Sequence, residues 1–141
     1  REQGRHDIPS HIPTDERLNE QSLGDWHGQP IQNVFPHGGP WPHFWMLNAN
    51  ERAPGGESFA DLCARVTPAI HEMVETYAGS NIVVGAHGGT IRAAIALALN
   101  LQPSAALAFS IENCSITRID HLKRSNSQEA WRVSGTNLPP C

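Results

Sequence analysis

The segment Asn81-Ile82-Val83-Val84-Gly85-Ala86-His87-Gly88-Gly89-Thr90 indicates the fold class of this chain. Residues 81–86 form a short apolar run rich in β-branched side chains, which is typical of a parallel strand buried on both faces. A glycine turn follows, and residues 91–101 predict a buried helix that stops before Pro103. A strand, a tight turn and a helix in this order form half of a doubly wound unit, so the sequence predicts an α/β fold.

A second helix is predicted upstream of this strand. Its apolar residues recur at spacings of three and four, which places them on one helix face. They are Phe59, Leu62, Cys63, Val66, Ile70, Met73, Val74 and Tyr77. Ser58 and Asp61 predict a capping box at its start, and Gly79 suits its end. Pro68 lies inside the pattern and predicts a bend.

Two further segments predict strands. Residues 115–120 and 130–134 alternate between apolar and polar side chains, which favours a hairpin at the edge of a sheet. The strand at 81–86 needs a parallel neighbour, whereas these two pair with each other. One strand of the sheet is therefore expected to lie outside the 141 residues. The chain begins at Arg1, and its only methionines are Met46 and Met73, which agrees with this expectation.

Composition and charge exclude several classes of protein. The length of 141 residues matches one domain, and 39% hydrophobic with 17% charged residues indicates a folded globular chain. The net charge is −4, and its Lys and Arg residues are scattered, which argues against a nucleic-acid surface. The longest apolar run, 93–99, is too short to span a bilayer, and no signal segment opens the chain. We therefore expect a soluble, cytoplasmic protein.

The cysteines and histidines give no sign of a metal or disulfide framework. Cys63, Cys114 and Cys141 lack close spacing, so a reducing compartment is expected. Eight histidines invite a metal hypothesis, but His71-Glu72 is not followed by a second histidine at the required distance. We expect neither a metal nor a cofactor.

The polar and proline-rich segments are expected to be irregular. Residues 1–25 contain prolines that interrupt any helix, and only 18–23 looks packed. The segment of about 29–55 is rich in Pro and Gly, yet it carries aromatic side chains that favour burial. They are Phe35, Trp41, Phe44 and Trp45. A partly ordered cap over a pocket would have both the irregular backbone and the buried aromatic side chains, so we expect this segment to form one.

The turn His87-Gly88-Gly89-Thr90 is the strongest candidate site, because ligands of open α/β sheets bind at the carboxyl ends of strands. Glycines allow close approach to the backbone, and free amides at the start of a helix attract anions. Arg92, in the next turn, is within reach of phosphate or forms a structural ion pair. The alternative interpretation is a glycine turn that only connects the strand to the helix, with a capping histidine. An oxyanion hole of a lipase-like hydrolase would also require Gly-x-Ser-x-Gly, which is absent.

Two other motifs gain meaning from their order. Glu20, within Arg17-Leu18-Asn19-Glu20-Gln21-Ser22-Leu23-Gly24-Asp25-Trp26-His27-Gly28, is by itself an ordinary surface carboxylate. Pro54-Gly55-Gly56-Glu57-Ser58 is by itself a turn with a helix cap. They are followed by the strand with its His-Gly-Gly turn, and then by Glu112-Asn113-Cys114-Ser115-Ile116-Thr117, which leads into a strand.

This succession resembles the histidine phosphatase superfamily, with its phosphoglycerate mutase-like fold, from about Asp15 to the end of the chain. The resemblance implies a three-layer α/β sandwich with a mostly parallel sheet flanked by helices, whose first strand is missing from these residues. It also implies a nucleophilic histidine in an Arg-His-Gly motif, which attacks phosphorus and becomes a phosphohistidine.

The resemblance assigns roles by position. Glu20, four residues before Gly24, matches the family's proton donor, and His87 matches the second histidine, which binds the phosphoryl group. Because an alkoxide leaves poorly, a carboxylic acid should protonate it, and the resulting carboxylate can activate water to open the phosphohistidine. Gly88, Gly89 and Arg92 are the expected phosphate- or substrate-binding residues.

The sequence departs from the family because it lacks Arg-His-Gly. Arg5-His6-Asp7 is rejected as the nucleophile site, since no apolar strand precedes it and its Asp would repel phosphate. The family places the nucleophile and a second phosphate-binding arginine upstream of the carboxylate motif, and thus before Arg1. We therefore expect 1–141 to be a single, N-terminally incomplete domain that is inactive by itself.

The expected function is hydrolysis of a small phosphorylated metabolite without a metal. The short Gly24-Asp25-Trp26-His27-Gly28 favours the phosphatase branch. A phosphoglycerate mutase-type phosphotransferase is the first alternative, and a non-catalytic phosphate-binding domain is the second. The expected partner is a small-molecule phosphate ester rather than nucleic acid or membrane, and a homodimer is compatible with the sequence.

Overall fold

The structure, a computed structural model, describes residues 12–34, 48–123, 126 and 128–140. Its elements in chain order are the 3-10 turns Glu16–Leu18 and Gly24–Trp26, helices α1 (Ile31–Val34), α2 (Phe59–Thr76), α3 (Gly88–Leu99) and α4 (Pro103–Ala106), and strands β1 (Ile116–Lys123) and β2 (Glu129–Leu138). The aromatic centre of the predicted cap, 35–47, and the triplet Arg5-His6-Asp7 lie outside the described residues.

Helix α2 confirms the upstream helix and its cap. The Ser58 hydroxyl accepts a hydrogen bond from the Asp61 amide at 3.1 Å, and the Asp61 carboxylate accepts one from the Ser58 amide at 2.8 Å. The helix is continuous through Pro68 and ends at Thr76, just before Gly79 at φ +78°. Tyr77 is half exposed, so the buried stripe stops short of the predicted one.

The apolar core lies mainly between α2 and α3. Its largest fully buried side chains are Phe59, Leu62, Val66 and Ile95. Leu18 and Leu101 pack against this core from outside the two helices. Truncating such a buried side chain to alanine costs about 2–5 kcal/mol of stability. The same core therefore contacts both α3 and the loop around residue 18.

Helix α3 confirms the helix after the glycine turn but begins three residues earlier than predicted. His87 is its N-cap, and the His87 carbonyl accepts a hydrogen bond from the Ile91 amide at 2.9 Å. Gly88 and Gly89 therefore belong to the first helical turn rather than to a separate loop. Asn100, at φ +50°, ends the helix in the left-handed region.

The predicted hairpin is confirmed and is longer than its alternation indicated. Strands β1 and β2 pair antiparallel, with Asp120 opposite Arg132 and His121 opposite Trp131. Both Arg132 and Ser134 hydrogen-bond to the Asp120 carboxylate. Pairing is irregular on either side of Arg118, near the end of the hairpin that contains Ile116.

The expected strand at 81–86 is not formed, which corrects the sequence-based prediction. These residues belong to no helix or strand, and Val83 is 96% exposed instead of buried. The described residues supply no backbone hydrogen bond to 81–86, and a strand requires such a partner. Within the described ranges the single sheet is the antiparallel β1–β2 pair, so the expected mostly parallel sheet and three layers are not seen there.

Candidate active site

The N-terminal end of α3 presents His87, Gly88 and Gly89. The His87 side chain makes no capping hydrogen bond to its own helix, and the residue is exposed. The first amides of a helix carry its partial positive charge, because they have no acceptor within the helix. This end of α3 is therefore suited to hold an anion, with the His87 imidazole beside it.

The Glu20 carboxylate lies at this same end of α3. Its Oε2 accepts a hydrogen bond from the Gly89 amide at 3.2 Å, and its Oε1 accepts one from the Gln21 amide at 2.9 Å. The structure thus brings together Glu20 and the helix end that begins at His87. Glu20 is exposed, so water and small molecules can reach its carboxyl group.

Glycine at position 89 allows this close approach of the Glu20 side chain. A Cβ atom there would collide with Glu20 Oε1 and would lie 3.0 Å from Leu62 Cδ2. At Gly88, by contrast, an added Cβ would meet only the flexible end of Arg92 at 3.4 Å and Ile111 at 4.0 Å. The two predicted glycines therefore have different structural roles.

Arg92 makes a structural contact. Its Nε donates to the carbonyl oxygen of Phe109 at 2.6 Å, which ties the segment after α4 to the start of α3. The partner is a backbone carbonyl and not the carboxylate that an ion pair would need. Arg92 Nη1 lies next to Gly88, 3.4 Å from where a Cβ atom on Gly88 would be. Arg92 is thus placed at the helix end, with one of its donors already engaged.

Thr90 is a residue whose role the sequence did not reveal. Its buried hydroxyl lies 3.1 Å from both the Leu18 and the Asn19 carbonyl oxygens and donates to either. These contacts join α3 to the loop that carries Glu20. Thr90 is part of the His-Gly-Gly-Thr turn, but contacts across about seventy positions cannot be inferred from local spacing.

Glu57 and Arg65 hold the same loop from the other side. Arg65 pairs with the Glu57 carboxylate through Nε at 2.7 Å and through a terminal nitrogen at 2.9 Å. The Glu57 carboxylate also accepts the Ser22 amide at 3.0 Å. The hydrogen bonds from Arg65 lower the pKa of Glu57, and Glu57 in turn raises the pKa of Arg65. The sequence places Glu57 in the Pro54–Ser58 motif but does not predict these partners.

A separate apolar groove of about 420 Å³ lies between α2 and α3 and is lined by residues such as Cys63, Ala96 and Leu101. None of the predicted site residues lines it. Burial raises the pKa of the Cys63 thiol to about 11, so the thiol stays protonated at neutral pH. The groove therefore offers no reactive group from Cys63.

The described residues contain neither a metal-binding cluster nor a membrane-spanning helix. No group of three or more His, Cys, Asp or Glu side chains there is placed to hold a metal ion. No helix in that part of the chain has the length and apolar character to cross a membrane.

Comparison with protein families gives one match over most of the chain. Residues 3–134 match the model of the histidine phosphatase superfamily (branch 1). The "Probable phosphoglycerate mutase GpmB" of Yersinia enterocolitica is 32% identical over 126 residues, which cover 88% of this chain and 56% of the relative. The corresponding protein of Yersinia pestis is 31% identical over 124 residues, which cover 86% of this chain and 55% of the relative.

Comparison with solved structures gives similar folds. The native mycobacterial glucosyl-3-phosphoglycerate phosphatase is 29% identical with a TM-score of 0.75, and the match covers 88% of this chain and 63% of that one. Its complex with inorganic phosphate is 31% identical with a TM-score of 0.71, covering 89% and 64%. The chain thus has the fold of these proteins over less than two thirds of their length, which supports the α/β class.

Proposed function

Because the chain belongs to the histidine phosphatase superfamily, we propose that it forms most of a phosphomonoester hydrolase that acts on a small phosphorylated metabolite through a phosphohistidine. In this proposal Glu20 is the proton donor and His87 is the second, phosphoryl-binding histidine. The observation that carries the proposal is the contact between the Glu20 carboxylate and the Gly89 amide, at the helix end that His87 caps.

Glu20 is suited to protonate the leaving group and then to activate water. In its acid form the carboxyl group donates a proton to the ester oxygen as the bond to phosphorus breaks. In its carboxylate form it takes a proton from water, whose oxygen then attacks the phosphohistidine. Exposure of Glu20 supports both roles, because substrate, water and solvent protons can reach it.

The phosphoryl group is proposed to bind at the start of α3. Its negative charge in the transition state is spread over three oxygens, so the protein acts mainly through donors that are already in place. The His87 imidazole, the Gly88 amide and Arg92 Nη1, which lies next to Gly88, are such donors. A related mycobacterial phosphatase, whose structure was solved with inorganic phosphate, supports a phosphate ligand for this fold.

The nucleophile is proposed to come from a segment upstream of Arg1. The chain spans only 56% of the first relative's length and 63% of a solved phosphatase. The apolar residues Ile82, Val83 and Val84 are exposed and lack a strand partner among the described residues. We propose that an upstream strand pairs with 81–86 and places the nucleophilic histidine beside Glu20 and His87. The 141 residues alone are then expected to be inactive.

A mutase is the second candidate, because several relatives are named probable phosphoglycerate mutases. Such an enzyme returns the phosphoryl group to the bound intermediate instead of to water. The names of these relatives and of the mycobacterial phosphatase both contain phosphoglycerate, which makes 3-phosphoglycerate a suitable first substrate for either reaction.

The test uses the full-length protein, meaning this chain with its upstream segment, and follows 3-phosphoglycerate and p-nitrophenyl phosphate. Hydrolysis releases inorganic phosphate in step with loss of ester, and His87→Ala should lower kcat about 100-fold or more, as expected for loss of a transition-state donor. His27→Ala, at an exposed histidine outside the proposed site, is the control.

Three results would argue against hydrolysis by this site. Isomerisation to 2-phosphoglycerate without net phosphate release would establish the mutase alternative. Tight phosphate binding without turnover of either ester would establish a non-catalytic domain. Equal rates for the wild type and His87→Ala would remove His87 from the mechanism.

A further inference from the structure

The four backbone carbonyls of residues 17–20 all lie within hydrogen-bond distance of one of two side chains, Arg65 and Thr90. Arg65 donates to the Arg17 carbonyl at 2.7 Å and to the Glu20 carbonyl at 3.0 Å. Between them, the Leu18 and Asn19 carbonyls both lie 3.1 Å from the Thr90 hydroxyl, which donates its one proton to either. A polar loop next to a candidate site is thereby attached, residue by residue, to α2 and α3.

Arg65 is itself fixed by Glu57. Two of its N–H groups point to the two oxygens of the Glu57 carboxylate, while two others point to the loop carbonyls. Both side chains are about three-quarters buried, which limits competition from water. A planar guanidinium can make these contacts together, whereas a lysine ammonium on a flexible stem lacks that geometry.

Glu57 adds further hydrogen bonds to the residues after Glu20. Its amide donates to the Ser22 carbonyl at 2.8 Å, its carboxylate accepts the Ser22 amide, and its carbonyl accepts the Gln21 side chain at 2.8 Å. The backbone is therefore held on both sides of Glu20. The Glu20 carboxylate itself is oriented by hydrogen bonds from the Gly89 and Gln21 amides.

From this arrangement we propose that Arg65, oriented by Glu57, is a positioning residue that places the Glu20 carboxyl group for proton transfer. This inference rests on the proposed role of Glu20. Arg65 contacts Glu20 only through its backbone, so it acts through Glu20 and not on the substrate. A displacement of about 1 Å at a reacting group can cost about 100-fold in rate.

The test compares Arg65→Lys with wild type and Glu20→Gln in the full-length protein. The readout is kcat/KM for glycerol phosphate, whose alkoxide needs a proton, and for p-nitrophenyl phosphate, whose phenolate does not. Assays are run well below the Tm of each variant. Arg65→Lys should lower the value for glycerol phosphate by roughly 10- to 100-fold and lower that for p-nitrophenyl phosphate much less. Inhibition by inorganic phosphate should stay unchanged.

Arg52→Lys is the matched control, because Arg52 also pairs with a carboxylate, that of Asp61, but does not touch the loop of residues 17–20. Arg52→Lys should leave kcat/KM unchanged for both substrates. Glu57→Gln, which removes the carboxylate that orients Arg65, should reproduce the selectivity of Arg65→Lys, and it replaces that variant if Arg65→Lys does not fold.

Two outcomes would overturn the inference, and they are distinguishable. In the first outcome, Glu20→Gln lowers kcat/KM mainly for glycerol phosphate, but Arg65→Lys and Glu57→Gln lower kcat/KM equally for both substrates. Arg65 then has a purely structural role, and the proposed function stands. If Glu20→Gln itself shows no selectivity, the proton-donor role fails, and the positioning role fails with it.

Discussion

The carboxylate of Glu20 and the amide of Gly89 are joined by a 3.2 Å hydrogen bond, although 69 positions separate them in the chain. This bond links a polar loop to the positive end of a helix. It leaves the Glu20 carboxyl group beside the proposed phosphate-binding end of α3, which His87 caps. The candidate chemistry depends on this one juxtaposition.

A methyl group added at Gly89 should disrupt this juxtaposition. The new Cβ of Gly89→Ala would push the exposed Glu20 carboxylate off the Gly89 amide and would crowd the buried Leu62, so we expect a loss of about 1 kcal/mol in the free energy of unfolding. Gly88→Ala is the control: its Cβ meets only ordinary contacts in the first turn of α3, and stability should be unchanged or slightly higher. Urea unfolding of the full-length variants measures both, and equal losses would contradict the packing described at Gly89.

Acid should weaken the protein partly through Glu57. Its pKa in the folded state lies below the unfolded value of about 4.3, chiefly because Arg65 hydrogen-bonds to the carboxylate. Its contribution is therefore complete above the unfolded pKa and is lost as pH falls through the folded pKa. Glu57→Gln should reduce stability at pH 7 by about 1–3 kcal/mol and flatten its decline in acid.

The measurement for Glu57 is Tm as a function of pH, with the exposed Glu16→Gln as control. The Glu16 variant should follow the wild-type curve. An acid decline in Glu57→Gln as steep as that of wild type would show that the Glu57–Arg65 pair is not responsible.

The start of α2 should depend on its capping box. Ser58→Ala removes the hydroxyl that accepts the Asp61 amide and should cost about 0.5–2 kcal/mol. Ser80→Ala, at an exposed serine beyond the other end of α2, should cost much less. Thermal unfolding of the two variants compares them. Similar small changes in both would mean that the cap contributes little.

Amide hydrogen exchange tests the proposed pairing of an upstream strand with 81–86. These residues have no backbone partner among the described residues, so their amides should exchange rapidly in the 141-residue chain. In the full-length protein the same amides should exchange more slowly, because a strand ladder would engage them. Rapid exchange in both proteins would exclude the pairing.

Local patterns were sufficient to predict the elements that depend on neighbouring residues. The cap at Ser58 and the apolar stripe after it predicted α2, and alternation predicted the β1–β2 hairpin. Among the described residues the segment 81–86 is not the buried strand that its sequence predicts, because burial of a strand depends on partners that its own residues cannot specify.

The candidate site shows the same division. Glu20 and His87 are candidates because of the order of motifs, and the structure places Glu20 at the helix that His87 caps. The support from Thr90 and Arg65 was missed, because their hydrogen bonds reach carbonyls 45 to 72 positions away. No spacing rule along the chain predicts such contacts.

The role of Glu20 is tested most directly by the ratio of the full-length protein's kcat/KM for glycerol phosphate to its kcat/KM for p-nitrophenyl phosphate. Glu20→Gln should lower the value for glycerol phosphate by about 100-fold or more, since general acid catalysis supplies that much, and should lower the value for p-nitrophenyl phosphate far less. Glu16→Gln should leave the ratio at its wild-type value. An unchanged ratio in Glu20→Gln would contradict the assignment of Glu20 as the proton donor.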